Sequence, residues 1–286
     1  MFEAASDPYL VPFDGSFRIA KAPTKPKKVD KKQYSQQLTK LQDELDELQR
    51  MLYATDKYAV LVILQAMDAA GKDSTIRAVF RGVNPAGCQV FSFKQPSAEE
   101  LDHDFLWRTN LRLPERGRIG VFNRSYYEEV LVVRVHPELL DKQKLPGTID
   151  LDSIWEERNR SIARSEKYLA RNGVVVLKFW LNVSKEEQRR RFLRRIDRPE
   201  KNWKFSIQDC EERRFWDDYM AAYEDTLNST SQPWAPWYAI PADDKPFMRM
   251  KVAEILAKNL RELDIGYPEV DDEMRERLLE MRESLE

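Results

Sequence analysis

Cysteine, histidine and glycine are scarce in this chain of 286 residues, with two, two and nine copies respectively. The cysteines, Cys88 and Cys210, have no metal-ligand spacing and permit one bridge at most, so both are expected as reduced thiols of a cytoplasmic protein. The histidines, His103 and His136, give little support to a phosphohistidine route, and no Ser/His/Asp or Cys/His constellation accompanies them. An excess of one charge is also missing. Lys and Arg number 47 against 49 Asp and Glu, for a net charge of −2. That argues against the broad basic field of a nucleic-acid binder and requires any anion site to come from local clustering. No apolar run approaches the length of a membrane span. The opening MFEAASDPYLVPFDG lacks the basic and then apolar order of a secretory signal. What is present is an ordinary globular mixture, 42% hydrophobic and 34% charged, long enough for one large α/β domain.

Residues 1 to 33 combine Pro8, Pro12, Pro23 and Pro26 with lysines from Lys21 to Lys32, which predicts an extended basic arm rather than packed core. The arm reads either as a solvated tail or as a strap for a polyanion. Residues 34 to 286 read as a single domain. Leu38, Leu41, Leu45, Leu48 and Leu52 have helical spacing, predicting a helix over Lys32 to Met51. Apolar runs of strand length follow at Tyr58 to Ala66, Gln89 to Phe93, Ile119 to Phe122, Val174 to Val183 and Trp237 to Ile240. Between them, Ser97 with Glu100, Ser153 with Glu156, and Ser184 with Glu187 fit the capping box. Gly82 and Gly173 stand where helices end in a left-handed residue. Continuous apolar strands alternating with helices predict a parallel sheet covered on both faces.

The segment Gln65-Ala66-Met67-Asp68-Ala69-Ala70-Gly71-Lys72-Asp73-Ser74-Thr75 joins the first strand to a helix, the context that makes a phosphate loop credible. Backbone amides from Ala69 to Ser74 and the helix N-terminus would meet phosphate oxygens, with Lys72 neutralising them. Two positions depart from the usual pattern. Ala66 replaces the first glycine, and Asp73 replaces the hydroxyl residue after the lysine, displacing the hydroxyls to Ser74 and Thr75. Asp68 would repel phosphates unless a cation intervenes, which makes it a candidate ligand for Mg²⁺, with Mn²⁺ as the alternative ion; its plain reading is a helix cap.

After the strand ending at Phe122 come Asn123, Arg124 and, one turn later, Glu128, at the strand end where ligands bind in doubly wound sheets. Arg124 is a candidate phosphate clamp, and Glu128 a second candidate metal residue. Alternatively Arg124 pairs with Glu128 or Glu129 at a helix start, an interaction of small energy. Arg134 adds another cation. From Arg189 to Lys204 eight basic side chains face only Asp197 and Glu200. Arg191, Arg194, Arg195 and Arg198 share a helical face, a costly arrangement unless an anion sits opposite. A helix from Ser184 that stops near Pro199 would suit a lid over residues 189–206, its arginines stabilising a transferring phosphoryl group. The bland reading is a solvated charged helix. Tyr126, Tyr127, Trp203 and Phe205 either stack on a base or pack.

The stretches LQAMDAAGKDSTIRAVFRGVNPAG, FKQPSAEELDHDFLWR, VFNRSYYEEVLVVRVHP, NVSKEEQRRRFLRRIDRPEKNWKF and WAPWYAIPADDK make the chain resemble the second family of polyphosphate kinases, class III in particular, over residues 10 to 265. The resemblance implies a thymidylate-kinase-like P-loop fold, a three-layer α/β/α arrangement around a five-stranded parallel sheet with a helical lid. It also implies Mg²⁺-dependent inline transfer of a terminal polyphosphate phosphoryl group to ADP and AMP, and a dimer or tetramer. By position it assigns Asp68 and Lys72 to the metal and phosphates, and Asn123 and Arg124 to the second motif. Glu128 takes the acidic position linked to monophosphate handling, and Arg189, Arg191 and Arg195 become the lid arginines. Adenine nucleotides are the expected partners, guanine nucleotides the alternative. Two rivals remain: an ATP-dependent nucleoside or nucleotide kinase, and a non-catalytic P-loop module that binds nucleotides or polyanions.

Overall fold

The seven residues of Ala59–Gln65 form β1, and every one is buried. A strand with no polar face belongs inside a sheet covered on both sides. The computed structural model has that arrangement; it describes residues 1–28 and 30–286, the side chain of Lys204 apart. The other strands are β2 (Cys88–Ser92), β3 (Ile119–Asn123), β4 (Val174–Asn182) and β5 (Trp237–Pro241), each within two residues of the predicted runs. The sheet order is β2-β3-β1-β4-β5, and every pairing is parallel. Leu64 pairs in register with Asn123. That register sets the ends of β1 and β3 side by side, at the point where the chain order reverses across the sheet and α/β folds bind ligands.

The helices are α1 (Lys31–Thr55), α2 (Lys72–Val79), α3 (Ala98–Leu101), α4 (Trp107–Asn110), α5 (Glu128–Val135), α6 (Ile154–Arg171), α7 (Lys185–Ile196), α8 (Ile207–Glu211), α9 (Trp216–Thr230), α10 (Lys245–Arg261) and α11 (Asp272–Leu285). Helices α1, α2 and α10 pack as one group; α5, α6 and α9 pack as another, with α6 against β4. Helix α1 runs a turn past the predicted end because Leu52, still in register with Leu45 and Leu48, is fully buried. The Ser97 capping box forms in full. Ser184 caps α7 by accepting from the Glu187 amide at 3.1 Å, but its own amide goes to Asp243 instead. Ser153 does not cap: its backbone is already helical and its hydroxyl donates to Asp150 at 2.8 Å.

The N-terminal arm, expected outside the packed core, is in part built into it: Ala5 and Val11 are buried. Leu10 bridges Tyr238 in antiparallel fashion, and Val11, fully buried, donates its amide to Trp237 O at 2.9 Å. The reason is the edge of β5, whose backbone groups would otherwise stand unpaired. Farther on, Asn182 holds the carbonyls of Ala22 and Pro23, and Thr24 O accepts from Asp243 N. The arm therefore crosses the carboxyl ends of β4 and β5, with Lys25, Lys27 and Lys28 exposed directly after the crossing.

Candidate active site

The loop between β1 and α2 is shaped by two left-handed residues, Ala69 at φ +61° and Gly71 at φ +114°. Any side chain at 71 would be strained, and a Cβ there would lie 3.3 Å from Met248 Cε. The amides of Ala69, Gly71 and Lys72 donate to no partner among the described residues, so the loop and helix start present free donors to an anion. Lys72 Nζ is held 2.7 Å from Ala66 O. Burial, and then the charge of Arg124, push its pKa down, while Asp68, Glu128 and Asp73 oppose the shift.

Arg124, at φ +63°, is another non-glycine residue in the left-handed region. Its guanidinium bonds Asp68 at 2.7 Å and lies 3.4 Å from Glu128. Glu128, then Asp68, hold it charged against burial. Glu128 is oriented from its other oxygen by Gln65 Nε2 at 2.9 Å. The structure thus joins Asp68, Lys72, Arg124 and Glu128 around one point, from two strand ends that the parallel register sets together. Asn123 belongs to the same group: its amide donates to Asp73 and lies 3.4 Å from Ser92 Oγ.

Of these residues, Asp68, Arg124 and Glu128 open on a cleft of about 460 Å³ that is also lined by Lys94, Arg108, Lys142, His136 and Asp209. Asp209, on α8, faces Asp68 and Arg124, and its pKa is raised by burial and then by Asp68. Neither Asp209 nor Glu212, which binds His136 Nε2 at 2.9 Å and accepts from Tyr219 at 2.8 Å, was legible as a site residue. They arrive from beyond Pro199 through tertiary packing alone, and no spacing rule links them to the loop.

The arginines of α7 divide three ways. Arg191 is not a free clamp but a buried brace beneath the loop between β1 and α2. Its guanidinium donates to Ala69 O at 3.0 Å, Ala70 O, Ala242 O at 2.6 Å and Asp243 O at 3.3 Å, with Glu187 pairing Nε at 2.8 Å. Arg195 reaches toward the cleft, 3.7 Å from Asp209. Arg189 lies on the outer face, paired with Glu186 at 3.5 Å. Arg134 is likewise turned from the loop, bonded to Asp225 of α9 at 2.6 Å. Lys204, counted among the lid cations, has its side chain outside the described residues. Tyr126 and Tyr127 are buried packing residues: both hydroxyls donate to Glu166, at 2.9 and 2.8 Å, beside the buried Lys178 of β4.

At the far end of the loop lies a cation cluster that sequence reading did not assemble. Lys245 and Arg249 on α10, Arg194 on α7 and Arg77 on α2 form no ion pair among the described residues. Arg249 Nε is buried without a partner. Arg77, Arg194 and Lys245 lie within stretches already singled out, each for another reason, but Arg249 carried no pattern of its own.

A family model described as polyphosphate kinase 2 matches residues 28–266. The chain is 55% identical over 270 residues to an ADP-polyphosphate phosphotransferase of Rhodopseudomonas palustris, spanning 93% of each chain. It is 47% identical over 232 residues to an AMP/ADP-polyphosphate phosphotransferase of Meiothermus ruber, spanning 81% of this chain and 83% of that one. Among solved structures, the polyphosphate kinase 2 of Arthrobacter aurescens superposes with a TM-score of 0.85 at 35% identity, over 98% of this chain and 99% of the other. By the matched model, these identities and the shared fold, the chain belongs to the polyphosphate kinase 2 family.

Proposed function

We propose that this protein transfers the terminal phosphoryl group of inorganic polyphosphate to ADP and to AMP, reversibly and with Mg²⁺, as a soluble homo-oligomer of the cytoplasm. The observation that carries the reading is the pair of cationic regions at the two ends of one phosphate loop. The cleft of about 460 Å³ is of the size that takes a small-molecule ligand. The unpaired cluster of Arg77, Arg194, Lys245 and Arg249 suits an extended polyanion, since four uncompensated cations favour a multiply charged partner. No helix among the described residues is long and apolar enough to cross a membrane.

In this mechanism the amides of the loop and Lys72 hold the phosphate being transferred, and Arg124 neutralises charge where donor and acceptor meet. Arg191 keeps the loop carbonyls turned inward so that its amides face outward. A terminal nucleotide phosphate is largely ionised near neutral pH, so no strong base is needed, and positioning carries the rate. No three His, Cys, Asp or Glu side chains converge into a metal cage among the described residues. Such a cage is not required, because Mg²⁺ is commonly held by one or two carboxylates plus phosphate oxygens. Asp68 fits: it is a hard oxygen donor, partly exposed in the cleft, with Oδ1 on Arg124 and no bond to Oδ2 among the described residues. Bound there, Mg²⁺ would neutralise phosphate charge.

The test is ATP and ADP formation by purified protein with Mg²⁺ and long-chain polyphosphate, offering ADP and AMP separately, then GDP. Product from both adenine acceptors is expected. Product from ADP alone would remove the role given to Glu128, and product only when ATP is the donor would make the protein a nucleotide kinase.

A pH dependence follows from Lys245, whose pKa burial and the neighbouring Arg191, Arg249 and Arg194 push down to about 8. Below that value the side chain is charged and attracts the polyanion; above it the charge is lost. The kcat/KM for polyphosphate, which reports the free enzyme, is expected to fall as pH rises through about 8. Lys245→Met should start lower and lose that step, whereas kcat/KM profiles that coincide for the two proteins would exclude Lys245 from the donor site.

A further inference from the structure

Phosphate-loop enzymes of the nucleoside triphosphatase type hold their metal with a hydroxyl directly after the loop lysine and an aspartate at the end of the neighbouring strand. This chain has Asp73 in the first place and Asn123 in the second. Each departure looks like a loss when read alone. In the structure the two side chains touch, Asn123 Nδ2 donating to Asp73 Oδ1. Asn123 is 8% exposed at the end of β3, whereas Asp73 stands exposed on the first turn of α2. The hydroxyls next along the helix do not replace the missing one, because Ser74 Oγ and Thr75 Oγ1 both donate back to Gly71 O at 3.0 Å.

We infer that the two positions have exchanged roles: Asp73 supplies a carboxylate, in addition to that of Asp68, for the cation that accompanies the phosphates, and Asn123 orients it from the strand. The inference rests on the Mg²⁺ dependence proposed above. Between positions 73 and 123 the chemistry favours one carboxylate rather than two. Aspartates at both positions would be in contact, and like charges that close cannot both ionise freely beside a polyanion. An amide in the strand removes the repulsion and leaves a donor fixed by burial, with Ser92 Oγ 3.4 Å away. A hydrogen-bonded partner behind a metal-binding carboxylate is a common way to set its direction. Asp73 also supports the charge of Lys72.

The experiment is a Mn²⁺ titration followed by electron paramagnetic resonance, with tripolyphosphate present, on wild type, Asp73→Asn and the exchange variant Asp73→Ser/Asn123→Asp. Thermal melting is run alongside to confirm folding. Asp73→Asn is expected to weaken Mn²⁺ binding by about tenfold or more with the melting curve little changed, and the exchange variant to recover most of that affinity. Wild-type Mn²⁺ affinity in Asp73→Asn, with or without a lower Tm, would overturn the inference and leave Asp73 a tie between α2 and β3. An exchange variant as weak as Asp73→Asn would also overturn it. Failure of the wild type itself to bind Mn²⁺ would instead refute the metal dependence on which the inference stands.

Discussion

Lys72→Ala is expected to lower kcat for polyphosphate-driven ATP formation by about a hundredfold to a thousandfold, the scale seen when one preorganised donor to developing charge is removed. The loss should fall on kcat more than on KM, because in the proposed mechanism backbone amides and Arg124 also hold the phosphates. The fold should survive, since the bond that Lys72 makes is to Ala66 O, in its own loop. Asp68→Asn should behave similarly for a different reason. It keeps the shape but removes the carboxylate that pairs Arg124 at 2.7 Å, leaving the guanidinium free to bind phosphate in an unproductive pose. Rates with ADP as acceptor, together with melting curves, check both variants. A folded Lys72→Ala enzyme with normal kcat would point to a binding module whose turnover, if any, lies elsewhere.

The second large effect is on stability and comes from the buried ion pair behind the site. Lys178 and Glu166 have side-chain exposures of 0% and 1%. Lys178 Nζ also bonds Tyr127 Oη at 3.0 Å and Thr230 O at 2.8 Å, while Glu166 takes both tyrosine hydroxyls. Burial presses the lysine pKa down, and Glu166 opposes the shift without cancelling it. Lys178→Met removes one partner and strands the other, which should cost about 3–5 kcal/mol. The double variant Lys178→Met/Glu166→Leu should regain most of that loss, because well-packed apolar residues commonly replace a buried pair at little cost. Urea unfolding of the single and double variants measures the difference; a double variant as unstable as the single one would show that the tyrosine hydroxyls, not the stranded charge, set the penalty.

That network shows where sequence reading stops. Lys178 appears as one polar letter inside VVVLKFWLN, and Glu166 as one of many charges on α6, so nothing in either segment announces the other. Tyr126 and Tyr127, which stood as candidates for stacking on a base, are consumed by it. Arg191 follows the same logic. On a helical wheel it belongs with Arg194, Arg195 and Arg198, but a buried guanidinium with five hydrogen-bonding directions is drawn to the loop carbonyls, and there it serves structure. The conformation of the loop between β1 and α2, by contrast, was legible because its signal is local. A strand, a Gly-Lys step and a helix start lie consecutively, and their backbone geometry requires nothing distant.

By itself, the sequence determined the order of elements, the burial of the apolar strands β1, β3, β4 and β5 and the positions of Asp68, Lys72, Arg124 and Glu128, because hydrophobic periodicity and loop motifs act over a few residues. Tertiary structure alone decided which charges are spent and which are available. Arg189 and Arg134 are neutralised by Glu186 and Asp225, Asp209 is carried to the cleft, and Lys245 and Arg249 are left unpaired beside Arg194. The physical reason is that a charge acts through its surroundings: the partner within 4 Å and the local burial set its worth, and both are properties of packing rather than of position along the chain.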